Sequence, residues 1–379
     1  MKPEARTPVF TLRPEARASK CHFLKRHLFH TPPAITIADA DLTGKTAIIT
    51  GGNSGLGLET ARHLLDLGGR VILAVRDEAK GQAAVDNLVH GRQLAPDMIQ
   101  VWPLDMSNYQ SILAFAEKAK SLCTLDIVIL NAAVIKAAEQ FGSSGYEESF
   151  QTNYLSTALV LLLLLPIVKE KRSSGSTGRF AITSSDWASW AKFDGGGPGA
   201  ILPQFKKPRQ PWDGMNTYGI GKLFNQLFVW ELVKRVSSSD VVITHPDPGM
   251  NNSNLGRGAS GITLLVLKIA TALLARDPSV GSRTLVHSVT TLGATAQGHC
   301  VEDENIEPLA PVLYTAEGQR LAERLYEETL DELSFAKVRE LVGGTASDKQ
   351  SDSELVSAGK SPATDDGRLD RFVTIVKTS

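Results

Sequence analysis

Lys45-Thr46-Ala47-Ile48-Ile49-Thr50-Gly51-Gly52-Asn53-Ser54-Gly55-Leu56-Gly57 is the stretch that decides the fold. Residues 45–50 are a short, largely apolar, β-branched run, the pattern of a buried strand. A glycine-rich turn follows at once. Leu58 to Leu67 then carries helical spacing until Gly68-Gly69 stops it. Gly51, Gly55 and Gly57 permit a tight turn and let the backbone come close to a pyrophosphate, which a helix N-terminus attracts. The spacing is Gly-x-x-x-Gly-x-Gly, not the commoner Gly-x-Gly-x-x-Gly. A glycine cluster alone would read as a flexible turn; set between a strand and a helix, it reads as a dinucleotide cradle. Gly51, Asn53, Ser54, Gly55, Leu56 and Gly57 are its candidate binding residues.

Outward from the cradle the rhythm repeats. Strands are expected at Arg70 to Val75, Ile99 to Leu104, Asp126 to Leu130, Arg179 to Thr183 and Val241 to His245. Helices are expected at Ala79 to Leu88, Ser111 to Ser121, Tyr146 to Val168 and Tyr218 to Val236. Strands alternating with helices of this length imply an α/β fold with a doubly wound parallel sheet, the Rossmann arrangement. We expect a single domain over 41–340, carrying a substrate-side insert at 186–216. It would be flanked by a flexible arm at 1–40, containing Thr31-Pro32-Pro33, and a disordered, Ser/Asp/Gly/Lys-rich tail at 341–379.

The chain has 379 residues, 42% hydrophobic and 21% charged, with a net charge of -1. That balance gives no reason to expect nucleic acid or an anionic membrane as partner. Cys21, Cys123 and Cys300 lie far apart and fit no metal spacing, so they read as reduced thiols of a cytoplasmic protein. The basic residues of the first 30 are also compatible with an organelle presequence, though not with a secretory signal. No uninterrupted apolar stretch reaches the roughly 20 residues of a membrane span. The run Ala158 to Val168 contains Pro166 and reads as a buried helix. Ile262 to Ala275 contains Lys268 and reads as a core or interfacial helix.

The end of the second expected strand selects the dinucleotide. An acid there would hold a ribose 2'-hydroxyl, whereas an arginine accommodates a 2'-phosphate. Arg76 follows Ala74-Val75, with Asp77 next, so NADP(H) is the expected cofactor unless Arg76 is merely paired with Asp77.

Leu42 to Leu325 resembles the classical short-chain dehydrogenase/reductase family, most closely its retinol-dehydrogenase-like branch and reductases of microbial natural-product pathways. Thr50 to Gly57 matches the family's cofactor turn, and Asp105 the acid that contacts the adenine. Asn131-Ala132-Ala133 matches an Asn-Ala-Gly stretch, with alanine replacing glycine. Asn153 matches the helix asparagine of the proton relay, and Ser185 the catalytic serine. Tyr218-Gly219-Ile220-Gly221-Lys222 is the Tyr-x-x-x-Lys signature, and Pro248, Gly249 and Ser253 match the loop that holds the carboxamide. The resemblance also implies hydride transfer between NADP(H) and a carbonyl or alcohol, and pairing of subunits through the helices near Asn153 and Tyr218.

The chemistry needs this set. Tyr218 and Lys222 are four apart and share a helix face. A nearby ammonium and the positive nicotinamide favour the phenolate, letting Tyr218 exchange a proton with the substrate oxygen while Ser185 hydrogen-bonds it. The resemblance implies that Asn153 holds a water leading to Lys222. Between Ser185 and Tyr218 lie 32 residues that include Trp187, Trp190, Phe193, Phe205 and Trp212. These aromatics either line a wide pocket for a bulky apolar substrate, with Trp187 and Trp190 foremost, or pack the insert onto the sheet. Secondary-metabolite biosynthesis would supply such substrates. An NAD-linked alcohol dehydrogenase and a non-catalytic NADP-binding redox sensor or scaffold are the competing functions. No metal constellation is visible. His245 reads as a loop-packing residue, and Lys206, Lys207 and Arg209 as a solvated cluster.

Overall fold

The computed structural model describes residues 10–195, 197, 199–252, 271 and 273–343. Contacts divide the chain into a unit Met1–Val342 and a unit Gly343–Ser379. The tail from residue 344 lies outside the described residues.

Among the described residues the sheet has eight strands. They are β1 Thr46–Thr50, β2 Arg70–Val75, β3 Ile99–Pro103, β4 Ile127–Leu130, β5 Gly178–Ile182, β6 Val241–Asp247, β7 Cys300–Glu302 and β8 Asn305–Glu307. Their spatial order is β3-β2-β1-β4-β5-β6-β7-β8. The strands through β7 pair in parallel, and β8 returns antiparallel to β7. The chain winds outward in one direction through β3 and in the other from β4, so the order reverses between β1 and β4. Loops at the carboxyl ends there open the crevice in which such sheets bind ligands.

Alternation along the strands assigns the two faces. Ile48, Ile72, Val128 and Phe180 pack on one side with the long helices Glu148–Lys171 and Gly214–Leu232. Ala47, Ile49, Val71, Leu73, Ile129 and Ala181 pack on the other with Gly55–Asp66, Glu78–Val89 and Pro278–Thr290. Burial on both faces explains why the strands read as continuous apolar runs. Helix Glu148–Lys171 is long and apolar enough to cross a membrane, yet 89% of its most apolar window is buried within the protein. It is a core helix, and Pro166 sits inside it without ending it.

Two regions differ from the sequence expectation. Residues 10–40 are not a free arm: helices Pro14–Arg17 and Lys20–Phe29 lie against the body, and Arg17 and Arg26 are buried. Charge rather than apolar periodicity holds them there, which is why hydrophobic spacing missed them. Strands β7 and β8 were also unforeseen, being three residues each. The run Ile262 to Ala275 falls largely outside the described residues.

Candidate active site

The cradle stands where β1 ends. Gly51 has φ +67 and Gly55 φ +54, left-handed values that favour glycine. A Cβ on Gly57 would collide with the Gly51 carbonyl and lie 2.7 Å from Asn131 Nδ2. Asn131 holds the turn against β4: its Nδ2 donates to the Thr50 carbonyl at 3.1 Å. The backbone N–H groups of Asn131 and Ala132 donate to Thr50 Oγ1 at 2.9 and 3.0 Å. Ala133 is outside the positive-φ region, so alanine there carries no strain. Helix Gly55–Asp66 begins at Ser54 without a side-chain cap, leaving its first N–H groups facing the turn. A backbone with no room for side chains and uncapped amides fits a pyrophosphate.

Beyond the turn, Asn53, Ser54, Leu58, Lys80, Ala83, Ala84 and Asn87 line a cleft of about 460 Å³. Arg76 is exposed after β2. Asp77 does not engage it; that carboxylate accepts from the Lys80 N–H at 3.1 Å and pairs with Lys80 Nζ at 3.2 Å. Lys80, unremarked in the sequence, therefore joins Arg76 as a second cation on this side. Asp105, half-buried past β3, accepts the Ser107 N–H and hydroxyl at 2.9 and 2.7 Å.

The catalytic candidates meet past β5. Ser185 follows that strand by three positions, and its hydroxyl acts on the Tyr218 phenol, holding it down against burial. Tyr218 and Lys222 are both buried on helix Gly214–Leu232. Lys222 Nζ lies 5.5 Å from the Tyr218 ring centre and donates to the Thr183 carbonyl at 2.6 Å. Burial lowers Lys222 to about 8, partly offset by Asp247. The phenol is pushed up, first by burial, then by Asp247 and Asp186, with only the Ser185 bond opposing. In the protein alone burial thus dominates the phenol; the sequence expectation concerns the site with both the ammonium and the positive nicotinamide beside it.

Asn153 sits in a π-helical turn, Gln151–Leu155, inside the long helix. Such turns release a carbonyl from the regular ladder. The Asn153 carbonyl accepts Asn225 Nδ2 at 2.7 Å, while its side chain pairs with the Val134 N–H and carbonyl at 2.9 and 2.8 Å. Gly221 lets the helices touch here, since a Cβ on it would lie 3.0 Å from Asn153 Cβ. Asn225 carried no signal in the sequence.

Pro248 and Gly249 follow β6, and Gly249 has φ +71. Ser253 lies outside the described residues. His245 is in β6 rather than in a loop, fully buried, with both ring nitrogens unpartnered. The insert's aromatics divide. Phe205 stacks on Phe150 with centres 3.7 Å apart, Phe193 meets Phe224 at 5.0 Å, and Trp212 Nε1 donates to the Lys136 carbonyl. Those three pack the insert down. Trp187 and Trp190 stay half-buried, edge to face at 5.6 Å, and Trp190 Nε1 donates to the Ala18 carbonyl at 2.8 Å. In the basic cluster Lys206 and Lys207 are exposed, Lys206 pairing with Glu332 at 3.3 Å, while half-buried Arg209 donates from Nη2 to Thr217 Oγ1 at 2.7 Å.

Asp186, Asp247 and Glu302 bring carboxylate oxygens within 4.8 Å of one another. The cations placed against them are Arg17, at 3.1 Å from Asp247 and 2.8 Å from Glu302, and Arg26. Neither acids nor arginines had been singled out in the sequence.

Comparison with known proteins agrees with this geometry. The short chain dehydrogenase family profile matches residues 45–191. The short-chain dehydrogenase fogG of Aspergillus ruber is 45% identical over 340 residues, 88% of this chain and 98% of that protein. The short chain dehydrogenase/reductase mfmJ of Annulohypoxylon moriforme is 42% identical over 324 residues, 84% of this chain and 92% of that protein. Among solved structures, the Pseudomonas aeruginosa RhlG/NADP active-site complex superposes with a TM-score of 0.53 at 20% identity. It covers 70% of this chain and 96% of that one, a likeness of fold.

Proposed function

Because this chain belongs to the short-chain dehydrogenase family, we propose that it transfers a hydride between NADP(H) and a carbonyl or alcohol carbon of a bulky, largely apolar substrate. The observation that carries the reading is the buried Tyr218 phenol acted on by the Ser185 hydroxyl, with Lys222 one turn along and fixed on the Thr183 carbonyl. This group lies at the carboxyl edge of the sheet, the edge that also bears the glycine turn.

The bound dinucleotide would supply the hydride acceptor or donor and, when oxidised, a positive charge. Gly51, Gly55, Gly57 and the amides after Ser54 would hold its pyrophosphate. Asn131 keeps the turn in place, and Asp105 would contact the adenine. Arg76 and Lys80 give the 2'-phosphate a positive surface, which favours NADP over NAD. Pro248, Gly249 and Ser253 would hold the carboxamide. Ser185 donates to the substrate oxygen, and Tyr218 gives it a proton in reduction or takes one in oxidation. Lys222, fixed on Thr183, stabilises the phenolate that results. Asn153, through its carbonyl, stands at the outer end of the proton path.

Trp187 and Trp190 present half-buried aromatic faces next to Ser185, which supports an apolar substrate. The likeness to dehydrogenases of filamentous fungi suits a place in secondary metabolism. A panel of aromatic and polycyclic ketones, aldehydes and alcohols, assayed with NADPH and NADH, tests the reading. Substrate-dependent loss of NADPH absorbance is expected with bulky apolar carbonyls. Turnover of small sugars alone would remove the substrate class, and NADPH binding without turnover of any carbonyl would leave a sensor.

A further inference from the structure

The segment from Arg13 to His30 converges on the same edge of the sheet as the catalytic candidates. Asp186 directly follows Ser185, and Asp247 directly precedes Pro248-Gly249. Arg17 spans from Asp247 to Glu302, at 3.1 and 2.8 Å. Arg26 pairs with Asp303 at 3.0 Å and donates to the Asp247 carbonyl. His22 Nε2 meets Glu302 at 2.7 Å. On the other flank, the Ala18 carbonyl accepts Trp190 Nε1, and the Phe23 ring meets the Trp190 ring at 5.4 Å.

His27 meets the loop after β6. Its Nδ1 faces the Phe23 carbonyl at 2.7 Å, and its Nε2 accepts the Met250 N–H at 2.7 Å. That arrangement requires the neutral ring with its proton on Nδ1. A Cβ on Gly249 would lie 2.6 Å from His27 Nε2, so the glycine makes room for the histidine.

We propose that this N-terminal segment is a built-in part of the active centre, with Arg17 as counter-charge for the carboxylates beside Tyr218 and His27 as the anchor of the loop after β6. The proposal rests on the roles given above to Tyr218 and to Pro248-Gly249. Arg17 and His27 are positioning residues. Tyr218 has Lys222 one turn along its own helix, 5.5 Å from its ring centre, and feels the Ser185 hydroxyl and the charges of Asp186 past β5 and Asp247 on β6. Those two acids in turn face Arg17 and Arg26, with Glu302 adding a further negative charge. His22, Asp303, Arg276 and His30 flank the cluster, and Cys300 and His245 face Arg17, with His245 also facing Lys222. Asp186 is pushed up to about 7 by burial, Asp247 and Glu302, with Arg26 and Arg17 holding it down. Without Arg17 the excess negative charge opposes the Tyr218 phenolate, and proton removal becomes harder.

Full-length Arg17→Met, Arg17→Lys and His27→Ala proteins test this. In alcohol oxidation, Arg17→Met is expected to lower kcat/KM about tenfold or more and to move its acid limb up by about one pH unit, with NADP affinity near wild type. Arg17→Lys, which keeps the charge, should recover much of the loss; it also carries the test if the methionine variant does not fold. In the cofactor-free protein, His27→Ala should speed hydrogen exchange of the Met250 amide about tenfold or more. A folded Arg17→Met protein with wild-type rate and pH limb, or unchanged Met250 exchange in His27→Ala, overturns the proposal. If the wild-type protein turns over no alcohol or carbonyl, the functional reading fails. The exchange measurement then still decides whether the segment anchors the loop.

Discussion

Asn225 Nδ2 donates to the Asn153 carbonyl at 2.7 Å and to the Gly221 carbonyl at 2.9 Å, tying the π-turn of one core helix to the helix that bears Tyr218. Asn153 is buried, so a carbonyl that loses this partner bears a desolvation penalty. Asn225→Leu is therefore expected to destabilise the fold by about 1–3 kcal/mol. Urea unfolding measures this, and an unchanged midpoint would show that the bond contributes nothing.

Tyr218→Phe keeps the ring and removes the proton. Turnover should vanish while the affinity for NADPH, titrated by fluorescence, stays within about threefold of wild type. Activity surviving this change would take Tyr218 out of the mechanism.

Gly57→Ala places a methyl group against the Gly51 carbonyl and Asn131 Nδ2. One side is backbone, so the turn itself must shift. We expect NADPH binding to weaken about tenfold or more, with thermal stability less affected, by calorimetric titration and melting.

Arg76→Asp, alone and with Lys80→Glu, reverses the charge at the end of β2 and beside the adjoining cleft. The ratio of kcat/KM for NADPH over NADH should fall about tenfold or more for the single change, and further for the pair. An unchanged ratio would place the 2'-phosphate elsewhere.

His245 is held down to about 3, first by burial and then by Lys222 and His299. An unfolded histidine titrates near about 6.5. Its contribution to stability is therefore complete above about pH 6.5 and is lost as pH falls towards 3, by about 1.4 kcal/mol per unit. His245→Leu fills similar space without buried unpartnered nitrogens. Chemical denaturation at pH 7 and pH 5 should show a shallower acid dependence in the variant. His299, lowered to about 4 by burial, retains its own share of that dependence. Equal pH slopes in the two proteins would contradict the assignment.

Strands β1, β2 and β4 were legible because parallel strands buried on both faces are continuous apolar runs between helical periods, whereas β3, at the sheet edge, keeps exposed residues. The candidate catalytic set of Tyr218, Lys222 and Ser185 was legible from its spacing and order. Asn225 was not, since a single amide on a core helix has no pattern until the π-turn opposite it is known. Arg17, Arg26 and His27 were hidden for another reason. Their stretch is polar and lacks hydrophobic periodicity, so it read as an arm, whereas buried ion pairs to β6 and β7 fix it. The carboxylates that receive them are scattered from 186 to 303, a relation only the folded chain brings together.

Arg17 and Asp247 are separated by 230 positions, and Arg26 and Asp303 by 277. During synthesis the first helices leave the ribosome long before β6, β7 and the turn after it exist to receive them. They must wait, solvated, until nearly the whole domain has emerged, because contacts this remote in sequence form late. Docking of the opening helices therefore closes assembly, and a chain truncated before β7 would be left with two cationic side chains and only part of their acidic seat.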